Sequence, residues 1–241
     1  MIDAAARAAR TLRRRHRERG RLGRAIFPRA SITGAAASLS ACAAGATLYA
    51  PQALAFEHSR AVGDVIVYGA APLPDDLDVV LGTALSRLPA STLNADLPPV
   101  RVFLTEGGPR WHLLSFPAGG AFAVTRPGGR HVIVNRTEGG VVRNGRAVGG
   151  TRSLNEVLTH EFVHVLIDRA FGVLGARTLD RRRVEGFADA VTGGSSLTDA
   201  EADAMLARGE RHPALPYALA RREAEAVLAE DGDVRAWLRG E

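Results

Sequence analysis

Apolar residues fall into two periods along the chain, and the period changes near residue 153. Before that point the apolar runs are short: Asp64-Val-Ile-Val-Tyr68, Val100-Arg-Val-Phe-Leu104, Ala121-Phe-Ala-Val124 and His131-Val-Ile-Val134. Runs of this length, rich in β-branched and aromatic residues, predict strands. The last two flank Arg126-Pro-Gly-Gly-Arg130, a turn sequence, and so predict a hairpin. One helix is expected among them over residues 75–88, where Leu77, Val80, Leu81, Ala84, Leu85 and Leu88 keep helical spacing. Pro72–Pro74 marks a turn before it, and the glycine-rich stretch Gly139–Gly150 reads as a loop. From Ser153 onward the spacing is helical with short breaks. Strands first and helices second predict an α+β fold, with a small, mostly antiparallel sheet packed on helices.

The front of the chain carries a different pattern. Residues 30–56, Ala30 to Phe56, hold no charge, whereas Arg7 to Arg29 is polar and arginine-rich. A helix spans a bilayer with about 20 mostly apolar residues, so the run is long enough. The expected organisation is a basic tail over residues 1–29, a transmembrane anchor or signal segment over 30–56, and one domain over 57–241. That domain divides into a mainly sheet part (57–150) and a helical part (151–241). Arginines before the run and none directly after it place residues 57–241 outside the cytoplasm. Other readings of the run stand beside an anchor. Ala53-Leu54-Ala55 fits a cleaved signal peptide. Leu39-Ser40-Ala41-Cys42 resembles a lipobox, and a buried alanine-rich helix is the plain structural alternative.

Charge refines the picture. All 31 basic residues are arginine, and the net charge is +5. Residues 1–30 hold ten arginines against Asp3 and Glu18, a balance of +8, which leaves −3 for the rest. A nucleic-acid-binding face needs basic residues clustered on a fold, so no nucleic-acid partner is expected. The single cysteine, Cys42, excludes an intrachain disulfide framework and a cysteine-rich metal site.

The chemistry lies in Thr159-His160-Glu161-Phe162-Val163-His164, which contains H-E-x-x-H. Ser153-Leu-Asn-Glu156 is a capping box just upstream, and Gly172 offers a stop. His160 and His164 therefore share one helix face, one turn apart, where both imidazoles can reach one metal ion. Glu161 is near enough to take a proton from water without ligating. The plain alternative is a helix with two ordinary histidines, but burying that pair without metal or partner is costly. Catalytic zinc usually has three protein ligands and an open position. Val184-Glu185-Gly186-Phe187-Ala188-Asp189 reads as a second helix, with Glu185 and Asp189 on one face. Glu185 completes a His₂Glu set, and Asp189 can accept a hydrogen bond from the far nitrogen of a ligand histidine.

H-E-x-x-H, about twenty intervening residues and then E-G-x-A-D resembles the gluzincin metallopeptidases, the thermolysin-like group. The chain is also similar to small bacterial membrane-anchored, peptidase-MA-like members. That resemblance implies Zn2+ bound by His160, His164 and Glu185, Glu161 as general base, and Asp189 behind the first histidine. It also implies a donor to the oxyanion from a later helix, for which Tyr217 is the first candidate and His212 the second. It implies hydrolysis of peptide or protein substrates, held in extended form on an edge strand. The strand His131–Val134, with Ile133 and Val134, is expected to fill that role. The chain departs from the family pattern in having Arg182-Arg183-Val184 where a tryptophan often precedes the E-G segment. Asp168, His131, His58 and His112 get no catalytic role, and His131 is expected to face solvent or a loop. The rival function is a non-catalytic, zinc-containing extracytoplasmic binding module, which needs the ligands but has no use for Glu161.

Overall fold

The computed structural model describes residues 50–241, apart from residues 55, 94–95, 129, 145–149 and 196. The basic tail, Leu39–Cys42 and most of the charge-free run lie outside the described residues. Among the described residues no helix is long and apolar enough to cross a membrane. The compact unit begins at Ala50. Pro51–Leu54 forms a 3-10 turn, and Leu54 and Phe56 pack against a cluster built on Phe103 and Trp111.

A five-stranded sheet contains β1 (His58–Val62), β2 (Val65–Gly69), β3 (Val100–Leu104), β4 (Ala123–Thr125) and β5 (His131–Val134). Their order is β1-β2-β3-β5-β4. The fold is α+β as expected, but this sheet is mixed, which corrects the mostly antiparallel expectation. β2 pairs parallel to β3, and β3 parallel to β5, while the outer pairs are antiparallel. Burial at the centre of the sheet fits the parallel pairs. Parallel strands are covered on both faces and read as near-continuous apolar runs, as Val65-Ile-Val and Val132-Ile-Val do. The crossovers are α1 (Leu77–Ser86), between β2 and β3, and α2 (Gly108–Ser115), between β3 and β5.

Period-two alternation divides the core. Val102, Leu104, Val132 and Val134 point to the main cluster with Leu77, Leu81, Leu158 and Phe162. Phe103 and Ile133, one residue out of phase, point to the opposite face and meet Trp111 and Leu114 of α2. A second, three-stranded antiparallel sheet flanks and enters the stretch read as a loop: β6 (Arg136–Glu138) and β8 (Thr151–Ser153) bound it, and β7 (Val141–Arg143) lies within it. Gly139 and Gly140 join β6 to β7 with φ of 57° and 75°. A two-residue hairpin turn with both central residues at positive φ favours Gly-Gly, so the signal was present in the sequence.

The helical half begins with α3 (Leu154–Ala176). The Ser153 N–H donates to the Glu156 carboxylate at 3.3 Å, the capping box expected there. Gly172, with φ 72° and ψ 156°, breaks the helix where a stop was expected. Next come α4 (Arg181–Thr192), α5 (Asp199–Ala207), α6 (Leu215–Ala229) and α7 (Val234–Arg239). Asp180 caps α4 by accepting the Arg182 N–H at 2.9 Å, and Gly193 ends it in the left-handed conformation.

Candidate metal centre

Two helices and one strand edge build the site. On α3, Val157, Leu158, Phe162 and Val165 are buried against the sheet, which fixes the rotation of the helix. That rotation turns His160 and His164 toward α4, with ring centroids 4.9 Å apart. On α4, Gly186 sets the approach to α6. A Cβ there would lie 2.6 Å from the backbone of Ala220 and Arg221, so only glycine permits this packing. The glycine of E-G-x-A-D thus presses α4 onto α6 and leaves Glu185 facing α3.

His160, His164 and Glu185 each offer one ligand atom, all within 4.8 Å of one another. His160 Nε2 lies 3.3 Å from Glu185 Oε2, and His164 Nε2 lies 3.9 Å from the same oxygen. Ligands held about 2.0–2.2 Å from a tetrahedral ion lie roughly 3.3–3.6 Å from one another, and both distances to Glu185 Oε2 fall within a few tenths of an ångström of that range. Two imidazole nitrogens and a carboxylate form a donor set that suits zinc.

Behind these candidate donors, His160 Nδ1 donates to Asp189 Oδ1 at 3.0 Å in the tautomer that leaves Nε2 free. Asp189 also accepts from Arg152 Nη2 at 3.1 Å. Arg152 lies on β8, over the Phe122 ring. The electrostatics fit a cation at this point. Burial opposes a charge on His160, but hydrogen bonds to Asp189 and Glu185 outweigh it and raise its pKa to about 10. Burial raises the Glu185 pKa, yet the His160 bond and the charges of His164, His160 and Arg181 pull it well below the ordinary range. Asp189 is lowered too, with burial again opposed by His160 and Arg152. Without metal the two carboxylates call for an imidazolium between them. A metal ion supplies that positive charge and leaves His160 neutral.

Glu161 is not among the converging donors. Its side chain is buried, and its Oε2 accepts the Thr125 hydroxyl at 2.7 Å. Glu161, His160, His164, Glu185, Asp189 and Tyr217 all line one open cleft of about 670 Å³. Tyr217 reaches it from the first turn of α6. His212, the second candidate, is exposed, and its Nδ1 accepts the Ala214 N–H at 3.2 Å.

The expected substrate strand is corrected. β5 is an interior strand, hydrogen-bonded to β3 on one side and β4 on the other, and Ile133 and Val134 are fully buried. The edge is β4, whose residues Ala123, Val124 and Thr125 line the cleft. Asn135 N–H donates to Phe122 O, and Arg126 N–H to His131 O, so Phe122 and Arg126 turn their backbone groups toward β5. Alternation then turns those of Ala123 and Thr125 outward. His131 is half-buried and packs edge-on to Phe103, with its Nε2 buried and unpartnered.

Two cleft residues, Thr125 and Arg152, escaped the sequence analysis, and a third, Asp168, was given no catalytic role there. Asp168 accepts the Gly128 N–H at 3.0 Å and so holds the hairpin turn against α3. Thr125 and Arg152 sit on three-residue strands, and neither has a local spacing pattern that could have marked it. No family model, curated protein or solved structure matches the chain.

Proposed function

We propose that the chain is a zinc-dependent metallopeptidase that hydrolyses peptide or protein substrates. The observation that carries this reading is the placement of Glu161: a buried carboxylate on the same helix as two of three converging donors, in the same cleft, and outside the donor set. A purely structural metal site has no use for such a group. When bound, zinc supplies Lewis acidity, polarising a carbonyl and lowering the pKa of water to about 7.

The chain's own residues do the rest. Glu161 takes a proton from water and returns it to the leaving amine. Asp189, braced by Arg152, holds His160 in the tautomer that leaves Nε2 for the metal. Ala123 and Thr125 on the free edge of β4 offer backbone groups to an extended substrate. Tyr217 supports the reading as the cleft's candidate donor to an oxyanion.

Metal analysis tests the site. The purified full-length chain is expected to hold one zinc, and His164→Ala to lose it. Stoichiometric zinc retained by His164→Ala removes the site.

A further inference from the structure

Edge strand β4 touches the base of the proposed reaction directly, through a residue outside both metal motifs. Thr125 Oγ1 lies 2.7 Å from Glu161 Oε2 and 3.0 Å from the Glu161 carbonyl oxygen. The hydroxyl carries one proton, so it can donate to the carboxylate or to the backbone at any moment. Ala123 and Thr125 share the face of β4 that meets α3, and Ala123 is packed into the main core there. Packing alone would be served by a valine at 125; the hydroxyl adds a donor aimed at a buried carboxylate.

A second contact fixes the same register. Gly128, three residues beyond Thr125, donates its N–H to Asp168 at 3.0 Å, and Asp168 lies two helical turns beyond Glu161 on α3. The hairpin is thus bolted along α3 at two points, and one of them is the base itself.

We infer that Thr125 is a positioning residue that holds the Glu161 carboxylate by Oε2 and leaves Oε1 to receive the proton. The inference rests on the peptidase reading for its catalytic consequence, and on the Thr125–Glu161 bond alone for its structural one. Because the outward backbone groups of Thr125 stand on the free edge, the residue links the strand that takes the substrate to the group that acts on it. A carboxylate with long χ freedom gains from such a tether, since small misplacement of a reacting group is expensive in rate.

Thr125→Val keeps the β-branched shape and removes the donor. In the zinc-loaded full-length chain, with fluorescein-labelled casein and a quenched fluorogenic peptide as probes, kcat should fall by about ten- to a hundredfold. KM and zinc content should stay unchanged, and Thr125→Ser should restore kcat. In the metal-free chain, a double-mutant cycle of Thr125→Val and Glu161→Ala gives a readout independent of activity. The loss of Tm in the double variant should be smaller than the sum of the single losses. Additive losses overturn the inference whatever the hydrolysis assay shows, and so does full activity in Thr125→Val. Coupled losses in a chain whose wild type hydrolyses nothing overturn the peptidase reading and leave the Thr125–Glu161 link standing.

Discussion

Asp189, buried on α4, accepts from both His160 and Arg152, and this small network makes the site respond to pH in two directions. His160 has its folded-state pKa raised above the ordinary 6.5. Its contribution to stability is therefore whole below pH 6.5 and is lost as pH climbs through the raised value. Glu185 and Asp189 are lowered from 4.5 and 3.8, so theirs is whole above those values and is lost as pH falls through the depressed ones. Metal-free protein should accordingly show its highest Tm between pH 4.5 and 6.5 and lose stability on either side. Zinc competes with protons for the same atoms, so the loaded protein should instead gain stability across neutral pH. Thermal scans with and without chelator check this; a metal-free Tm that rises steadily above pH 6.5 contradicts it. The residues of this network were unequally legible in the sequence. His160, His164 and the pair Glu185 and Asp189 are set by helical spacing, a local property. Arg152 and Thr125 reach the site through space from short strands, and one arginine among thirty-one has no mark of its own.

At the level of elements, the hairpin Ala123–Thr125 and His131–Val134 was legible, turn included, but its place in the sheet was not. Which strand lies at an edge depends on where β3 inserts, and no local pattern encodes that. β1, a half-exposed edge strand, and α2, which opens on Gly108-Pro109, were missed for want of a strong apolar period. Under the proposed function, the edge position gives the substrate-binding role to β4 and not to β5. Proline is tolerated on an edge strand where the N–H it removes faces away from the ladder, as that of Ala123 does. Ala123→Pro should therefore raise KM for peptide substrates while zinc content stays intact. Unchanged KM would place the substrate somewhere other than this edge.

Across the whole described molecule, the site sits where three layers meet. The sheet's main apolar face fixes the rotation of α3, α4 is pressed onto α6 at Gly186, and the edge of the sheet closes the third side of the cleft. The strand-then-helix order of the chain gave the α+β class, and burial of the central strands β3 and β5 on both faces fits a mixed sheet with parallel pairs at its centre. In that arrangement Glu161 alone separates a peptidase from a binding module that merely holds metal. The most direct test measures zinc content and peptide hydrolysis on one sample of full-length Glu161→Gln. Zinc should remain at one per chain, because Glu161 is not a ligand, while turnover falls by about 10²–10⁴-fold through loss of the proton acceptor. Hydrolysis near the wild-type rate by the zinc-loaded variant would contradict the account.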